Sequence, residues 1–375
     1  MGNDRALNDA ISPPIHLKRE SVIRLRRTLL QWYARTKRDL PWRRTSDPYH
    51  ILVVEYMSQQ TQVDRVLRYY DRFVRRFPDI RALARASPER VLKAWEGMGY
   101  YARARHLQAA ARQIVRRFDG CIPDDPDLLM TLPGCGPYTA AAIASIAFNK
   151  PVPVLDGNVI RVLCRLWAVR ENPRQQSVRR RLRTLAEQLV PRQNARQFNQ
   201  ALMELGALIC TPRSPQCEVC CWNFACQARK LSSPAQFPVR APRRTTPHYQ
   251  IAVGIVWKDG RLLIGRRPTG GLLGGLWEFP GGKRRPGESF RRCCAREIEE
   301  ETGVRVRVGR QVMTIRHAYS HFRITMHVFE CQYLDGEPRP LGCERVKWVS
   351  PRALHRYPFP AANRKLIEKL RQQWP

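Results

Sequence analysis

Negative charge is scarce in this chain. Its 375 residues hold 32 Asp and Glu against 66 Lys and Arg, a formal net charge of +34. Long apolar runs are missing as well. The longest, Ala140 to Phe148 after Thr139, falls far short of the roughly 20 residues that cross a bilayer, so no membrane partner is expected. The first ten residues, MGNDRALNDA, carry two Asp and no apolar core, which argues against a secretory leader. Ala6 stands where a myristoylation signal wants Ser or Thr. A cytoplasmic location follows by default. In a reducing compartment the 12 Cys are not expected to form a disulfide framework. No internal repeat is present.

What is present is basic charge in both halves. Residues 1–248 carry +22 and residues 249–375 carry +12, so the excess is not one tail. A polyanion, and nucleic acid first, is the partner such a balance suits. A 43% hydrophobic, 9% aromatic composition can bury cores, which excludes global disorder. The length exceeds one ordinary core and predicts two domains.

The pattern along the chain divides accordingly. Residues 1–22 read as a loose arm. Residues 23–229 are mostly helical in period; Val91, Leu92, Trp95 and Met98 share one face, for example, and 107–117 repeats that spacing. Pro, Ser and Thr dominate the aperiodic stretch 230–248, which reads as an interdomain linker. From 249 onward the grammar is that of strands. YQIAVGIVW (249–257), an Asp-Gly turn at 259–260 and RLLIGRR (261–267) predict a hairpin, followed by a Gly-rich loop and a helix near 288–302.

Three constellations carry chemistry. Cys210, Cys217, Cys220 and Cys226 are spaced C-x6-C-x2-C-x5-C. Four thiols so close in sequence would repel as thiolates unless a metal centre neutralised them, and four Cys ligands suit zinc or a [4Fe–4S] cluster. Cys221 rivals Cys220 as a ligand. The second constellation is LPGCGPYTA (132–140), a turn flanked by Gly134 and Gly136 that opens an apolar helix. Such a turn offers free N–H groups to a phosphate, or simply packs two helices. The third is Asp156 in LDGNV (155–159), by itself an ordinary helix N-cap.

Together the hairpin turn, the following Asp and the cysteine loop resemble the helix-hairpin-helix DNA glycosylases related to endonuclease III. PWR (41–43), DPY (47–49), EYMSQQTQV (55–63) and GMGYYARARHL (97–107) resemble the adenine DNA glycosylase (MutY) branch. The resemblance implies an all-helical glycosylase domain whose four cysteines hold a [4Fe–4S] cluster. It implies excision of adenine opposite 8-oxoguanine or guanine from double-stranded DNA, by base flipping and hydrolysis, in a monomer. Glu55 matches the general acid, Asp156 the carboxylate that stabilises the sugar cation, and Tyr138 and Asn158 supporting residues. Glu55 lies in the apolar run ILVVEYM, where desolvation would keep it protonated. Gln59, Gln60, Thr61 and Tyr100 match the wedge and minor-groove positions, although an aromatic at helical spacing such as Tyr100 also suits a core. Trp42 and Arg43 match the adenine pocket. Ser58 departs from the more usual Leu. Tyr138 stands where endonuclease III-type enzymes carry a Lys; lacking an amine, it cannot form a Schiff base, which implies a monofunctional enzyme.

The second half resembles MutT-like Nudix domains. Gly282, Glu288, Arg296, Glu297, Ile298, Glu300, Glu301, Gly303 and Val304 complete the Nudix signature. Glu297, Glu300 and Glu301 share one helical face, where a hard cation such as Mg2+ would relieve their repulsion. In the MutY branch this domain reads 8-oxoguanine, and its box is usually degraded. Here the box is intact, so hydrolysis of oxidised or other nucleoside triphosphates is an alternative role. RHAYSHF (316–322) resembles the family's Phe-Ser-His lesion loop, with Tyr319 for Phe and with Ser320 and His321 kept. His321 also suits an ordinary hydrogen-bonded histidine. The expected architecture is therefore a helical helix-hairpin-helix domain with a cluster loop, then an α/β Nudix-type domain.

Overall fold

The computed structural model describes residues 17–239, 246–319 and 321–371. Most of the N-terminal arm, residues 240–245 of the linker stretch, and Ser320 lie outside the described residues.

Helical period produces helices throughout the first half: α1 (Arg19–Thr36), α2 (Pro48–Ser58), α3 (Val63–Arg76), α4 (Ile80–Arg85), α5 (Pro88–Trp95), α6 (Ala102–Phe118), α7 (Pro126–Met130), α8 (Pro137–Phe148), α9 (Gly157–Leu166), α10 (Gln176–Leu189), α11 (Ala195–Leu208) and α12 (Gln227–Lys230). Their starts follow local chemistry. Asp79, Ser87, Asp125 and Asp156 each accept a backbone N–H as N-cap. Met98 falls outside α5, in the turn beyond it, yet it is buried with Val91, Leu92 and Trp95. α8 is apolar on every side, and Thr139–Ala147 are all buried, as a helix without a polar face requires.

Where the sequence shows one continuous helical region, the chain packs as two compact units. One holds the chain up to Glu55 and from Ile122 to Pro242; the other holds Tyr56–Cys121 and the chain from Arg243. The first boundary falls inside α2. Within the first unit, α1, α9, α10 and α11 share a core closed by Trp222. The residues before 240 are tied down: buried Arg165 donates to the carbonyls of Pro234 (2.8 Å) and Phe237 (3.0 Å).

The second unit contains a mixed sheet. Its strands are β1 (His248–Lys258), β2 (Arg261–Arg266), β3 (Trp277–Glu278), β4 (Gly281–Lys283), β5 (Arg305–Ala318), β6 (Arg323–Asp335) and β7 (Arg345–Val349), with α13 (Phe290–Thr302) and α14 (Ala361–Arg371). The spine order is β3-β2-β1-β6-β5; β4 pairs with β1 and β7 with β2. β1 and β6 run parallel, and the other pairs antiparallel. The expected hairpin is there: Lys258 pairs with Arg261 across Asp259 and Gly260, both at positive φ (47° and 69°). Alternation along β1 sends Ala252 and Val256 to the α13 side and Val253 and Ile255 to the α14 side. Gly254 completes the α13 face, because a side chain there would collide with Ile298 and press on the sulfurs of Cys294 and Cys331.

Tyr56–Cys121 belongs with this sheet through specific bonds. Lys93 donates to the Tyr357 carbonyl (3.0 Å), the Phe359 N–H donates to Glu96 (2.8 Å), and Arg105 donates to the Gly274 carbonyl (2.6 Å). Glu89 pairs with Arg266 at 3.0 Å.

Gly254→Ala therefore overpacks the α13 face and is expected to cost about 1–3 kcal/mol, read as a lowered denaturation midpoint. An unchanged midpoint would show that the face has slack.

Candidate active site

The site begins with α2. Its sequence, PYHILVVEYMS, places Glu55 among Ile51, Leu52, Val54 and Tyr56, all buried, and leaves the carboxyl group 6% exposed. The Tyr138 hydroxyl, from the first turn of α8, donates to Glu55 Oε2 at 3.0 Å. Burial pushes Glu55 from its ordinary 4.5 up to about 7, and the charge of Asp156 adds to the rise; the Tyr138 bond only partly opposes it. Glu55 thus holds a proton near neutral pH. Cys135, in the hairpin turn, is buried and its thiol is pushed up to about 12, so it acts as a small apolar residue.

Asp156 is the N-cap of α9, and both readings of it hold at once. One carboxylate oxygen accepts the Val159 N–H (2.6 Å) and the other accepts the Asn158 side-chain amide (2.9 Å). Burial raises its pKa, against the pull of these donors and of Arg161.

Asn158 is held in turn by Arg161, whose guanidinium donates to Asn158 Oδ1 (2.9 Å) and to the carbonyls of Gly206 (2.6 Å) and Cys210 (2.7 Å). One helical turn further, Arg165 donates to the Cys210 sulfur (3.3 Å) and to the Thr211 carbonyl (2.7 Å). Gly206 lets α11 approach, because a side chain there would strike Asn158. The sequence reading missed Arg161, Arg165 and Gly206. The available signal was two arginines on the otherwise apolar face of NVIRVLCRL.

Cys210, Cys217, Cys220 and Cys226 all line one small cavity of about 30 Å3 with Arg165 and Arg229. Cys221 does not line it; it hydrogen-bonds to Cys220 and lowers that thiol to about 7. Among the described residues no three His, Cys, Asp or Glu side chains are gathered to hold a single metal ion. Four thiols around a cavity, with two guanidiniums beside them, have the donor set and the positive surroundings that a polynuclear iron–sulfur centre needs.

The expected wedge residues form a second group. Gln59, Gln60 and Thr61 make the turn from α2 to α3, with Gln60 at φ 56°, and Tyr100 is a half-buried residue at φ 48°. Buried Arg103, also missed in the sequence, ties the two turns together. It donates to the carbonyls of Met57 and Gln59 and to that of Gly99 (3.1 Å), and it lies 5.3 Å from the Tyr100 ring. The rings of Tyr100 and His321 meet edge-on, with centroids 6.1 Å apart. Tyr319 stacks on Phe322 at 4.7 Å.

Two expectations are redirected. Arg43 pairs with buried Glu204 through both terminal nitrogens of its fork (3.0 and 2.7 Å), a carboxylate it shares with Arg38. Trp42 sits half-buried in the Pro41–Arg43 turn. In the Nudix box Glu297, Glu300 and Glu301 do share a helix, but Arg296 takes Glu297 (2.8 Å), Glu300 (2.9 Å) and Glu288 (2.8 Å). Glu301 instead accepts the Gly281 N–H (3.2 Å), and burial with nearby Glu278 raises it to about 8. Arg296 thus shares part of the face on which a divalent ion is expected, and Glu301 stays outside its reach. Gly134 has φ +75° in the hairpin turn, whereas Gly136 is the N-cap of α8 and open on its Cβ side.

Known proteins match this arrangement. Residues 53–188 match the HhH-GPD superfamily base excision DNA repair protein model, and residues 252–369 match the NUDIX domain model. A solved thermostable thymine-DNA glycosylase is 31% identical, with a TM-score of 0.52, over 56% of this chain and 97% of its own. An endonuclease III–DNA complex shares the fold at a TM-score of 0.50 and 23% identity, over 58% of this chain and 99% of that one. The class is thus a base excision DNA repair protein of the helix-hairpin-helix superfamily that carries a Nudix domain. The human adenine DNA glycosylase is 34% identical over 96% of this chain and 77% of its own length. That of Mycobacterium tuberculosis H37Rv is 43% identical over 56% of this chain and 70% of its own. The chain belongs to the adenine DNA glycosylase family.

The raised Glu55 pKa has a stability consequence. A neutral buried carboxyl stabilises the fold fully below about 4.5, and that contribution is lost as pH rises through about 7. Glu55→Gln should match the parent below pH 5 and exceed it by up to about 3 kcal/mol above pH 8. Chemical denaturation across this range tests it; equal stability at high pH would mean that Glu55 ionises freely.

Proposed function

We propose that this protein removes adenine opposite 8-oxoguanine, or opposite guanine, from double-stranded DNA by hydrolysing the N-glycosidic bond. The observation that carries the reading is a buried, protonated Glu55 hydrogen-bonded to Tyr138, with Asp156 close enough to raise its pKa. The match to adenine DNA glycosylases over nearly the whole chain supports adenine as the base. The contact between Tyr100 and His321 supports reading of the opposite base, since it brings a wedge candidate together with the lesion-loop candidate.

The chemistry follows from the two carboxyl groups. The adenine must leave the stack before a buried acid can reach it. As the bond from the sugar C1′ to the base breaks, its electron pair leaves with adenine, and Glu55 transfers its proton to that departing base. The sugar is left as an oxocarbenium-like cation, which the Asp156 carboxylate opposes. Water adds to C1′ and returns a proton to Glu55. The products are free adenine and an abasic site. Asn158, held by Arg161, fixes the carboxylate rotamer of Asp156. Tyr138 supplies a hydroxyl and no amine, so no imine links protein and sugar, and the enzyme is monofunctional.

A [4Fe–4S] cluster held by Cys210, Cys217, Cys220 and Cys226 would supply a rigid crosslink for the loop that Arg161 and Arg165 grip. The Nudix domain serves to recognise the lesion strand.

Single-turnover excision on duplexes with A opposite 8-oxoG, A opposite G and T opposite G tests the reading. The first two should be cut, and Glu55→Gln should lower the rate by about 10^2–10^4. The rate should fall as pH rises through about 7, because Glu55 loses its proton there. Borohydride should trap no covalent complex. Preference for T opposite G, or a rate unmoved by Glu55→Gln, would overturn the assignment. For the cofactor, analysis of the purified chain should give four iron and four labile sulfide per molecule, and Cys217→Ala should lower both; stoichiometric zinc without sulfide would refute the cluster.

A further inference from the structure

A third cluster of charge, built from residues of neither site, lies inside the second unit. Arg68, Arg72 and Arg76 are spaced four residues apart on one face of α3, opposite the buried face of Val66, Tyr70 and Phe73. Lys93 of α5 and Arg364 of α14 complete a cleft of about 860 Å3, counting the open solvent at its mouth. Like charges at this helical spacing repel, so the arrangement costs stability on its own. The one carboxylate in the cleft, Glu96, is already taken by Lys93 (2.6 Å) and by the Phe359 N–H (2.8 Å). Among the described residues the guanidiniums of Arg68, Arg72, Arg76 and Arg364 have no hydrogen bond or ion pair. Arg72 lies 5.2 Å over the Tyr69 ring.

The cleft is also shaped. Gly97, at φ +98°, sits against two lining side chains: a side chain there would collide with the Tyr69 hydroxyl and crowd the Arg364 guanidinium. The absence of that side chain lets a guanidinium from the C-terminal helix come in beside α3. Four unpaired guanidiniums from two segments, an aromatic ring and a concave shape are the features that hold closely spaced phosphates.

We infer that this cleft binds a compact polyphosphate anion, of the nucleoside triphosphate or inorganic polyphosphate class. Bidentate guanidinium–phosphate bonds from Arg68 and Arg72 on one side and Arg364 on the other neutralise the repulsion. The ligand bridges α3 and α14, so it stabilises the packing of the C-terminal helix against the helical segment. The inference does not depend on the excision reading, since it concerns other residues and another readout.

Thermal unfolding of the full chain with added inorganic tripolyphosphate in EDTA tests it, with dATP and a short duplex as further arms. EDTA withholds the divalent ion that the Nudix box would need. The melting temperature of the parent should climb with tripolyphosphate in the saturable way expected for a ligand of the native state. Arg68→Gln with Arg364→Gln should flatten that response while leaving adenine excision unchanged. Arg179→Gln with Arg180→Gln, exposed residues of α10, removes the same charge elsewhere and should keep it. A dATP affinity at least fivefold tighter than that of tripolyphosphate assigns a nucleotide, and equal affinity assigns the inorganic anion; both uphold the site. An equal response in all three proteins means diffuse binding to a +34 chain and overturns it. So does no response in the parent. So too does a loss confined to duplex binding, with a shallower salt dependence, which would make the cleft a DNA backbone contact.

Discussion

The first unit depends on one helix being gripped along its length. α9 carries Asp156 as its cap, Asn158 in its first turn, and Arg161 and Arg165 on the face that meets the cysteine loop. Both guanidiniums are buried and saturated mainly by carbonyls of irregular backbone. A buried charge tolerates such a place only when its donors are satisfied, and these carbonyls satisfy them. The interaction therefore works in both directions. The loop keeps the arginines charged and buried, and the arginines hold the loop closed around its four thiols. The position of Asp156 follows from that grip.

Glu55 shows the complementary arrangement. An apolar helix with one carboxyl would normally lose stability by ionising, and here it keeps its proton instead. Among the described residues only the Tyr138 hydroxyl donates to it, and that donor is too weak to offset burial. The two carboxyl groups have pKa values set by different surroundings: the Val159 N–H, the Asn158 amide and the charge of Arg161 oppose burial at Asp156, and the Tyr138 hydroxyl opposes it at Glu55. This difference is what the proposed division of roles between them rests on. In the second unit, Arg103 performs the analogous structural task by binding the carbonyls of two turns whose residues sit at positive φ.

Much was legible because it is local. The hairpin at 259–260 follows from an Asp-Gly pair, the helix starts follow from Asp and Ser caps, and the Nudix helix follows from an uninterrupted signature. Met98 was placed on the wrong element because helical period continued past the point where Gly97 ends the helix at φ +98°. The sequence cannot show that Glu204, far along the chain, holds the fork of Arg43, the residue matched to the adenine pocket. In the Nudix box Arg296 was visible beside the acidic face, and the structure adds which carboxylates it takes.

The sequence by itself determined the residue types that the chemistry needs: a carboxyl in an apolar run, a tyrosine in place of a lysine, four cysteines at ligand spacing, and basic charge in both halves. These are covalent facts or consequences of short-range periodicity. Only the tertiary structure decided which partners those residues have. It closed Arg161 and Arg165 onto the cysteine loop and brought the four spaced cysteines to one cavity. It also divided an apparently continuous helical region inside α2. Each of these choices depends on contacts between residues far apart in the chain, and helical period carries no record of such contacts.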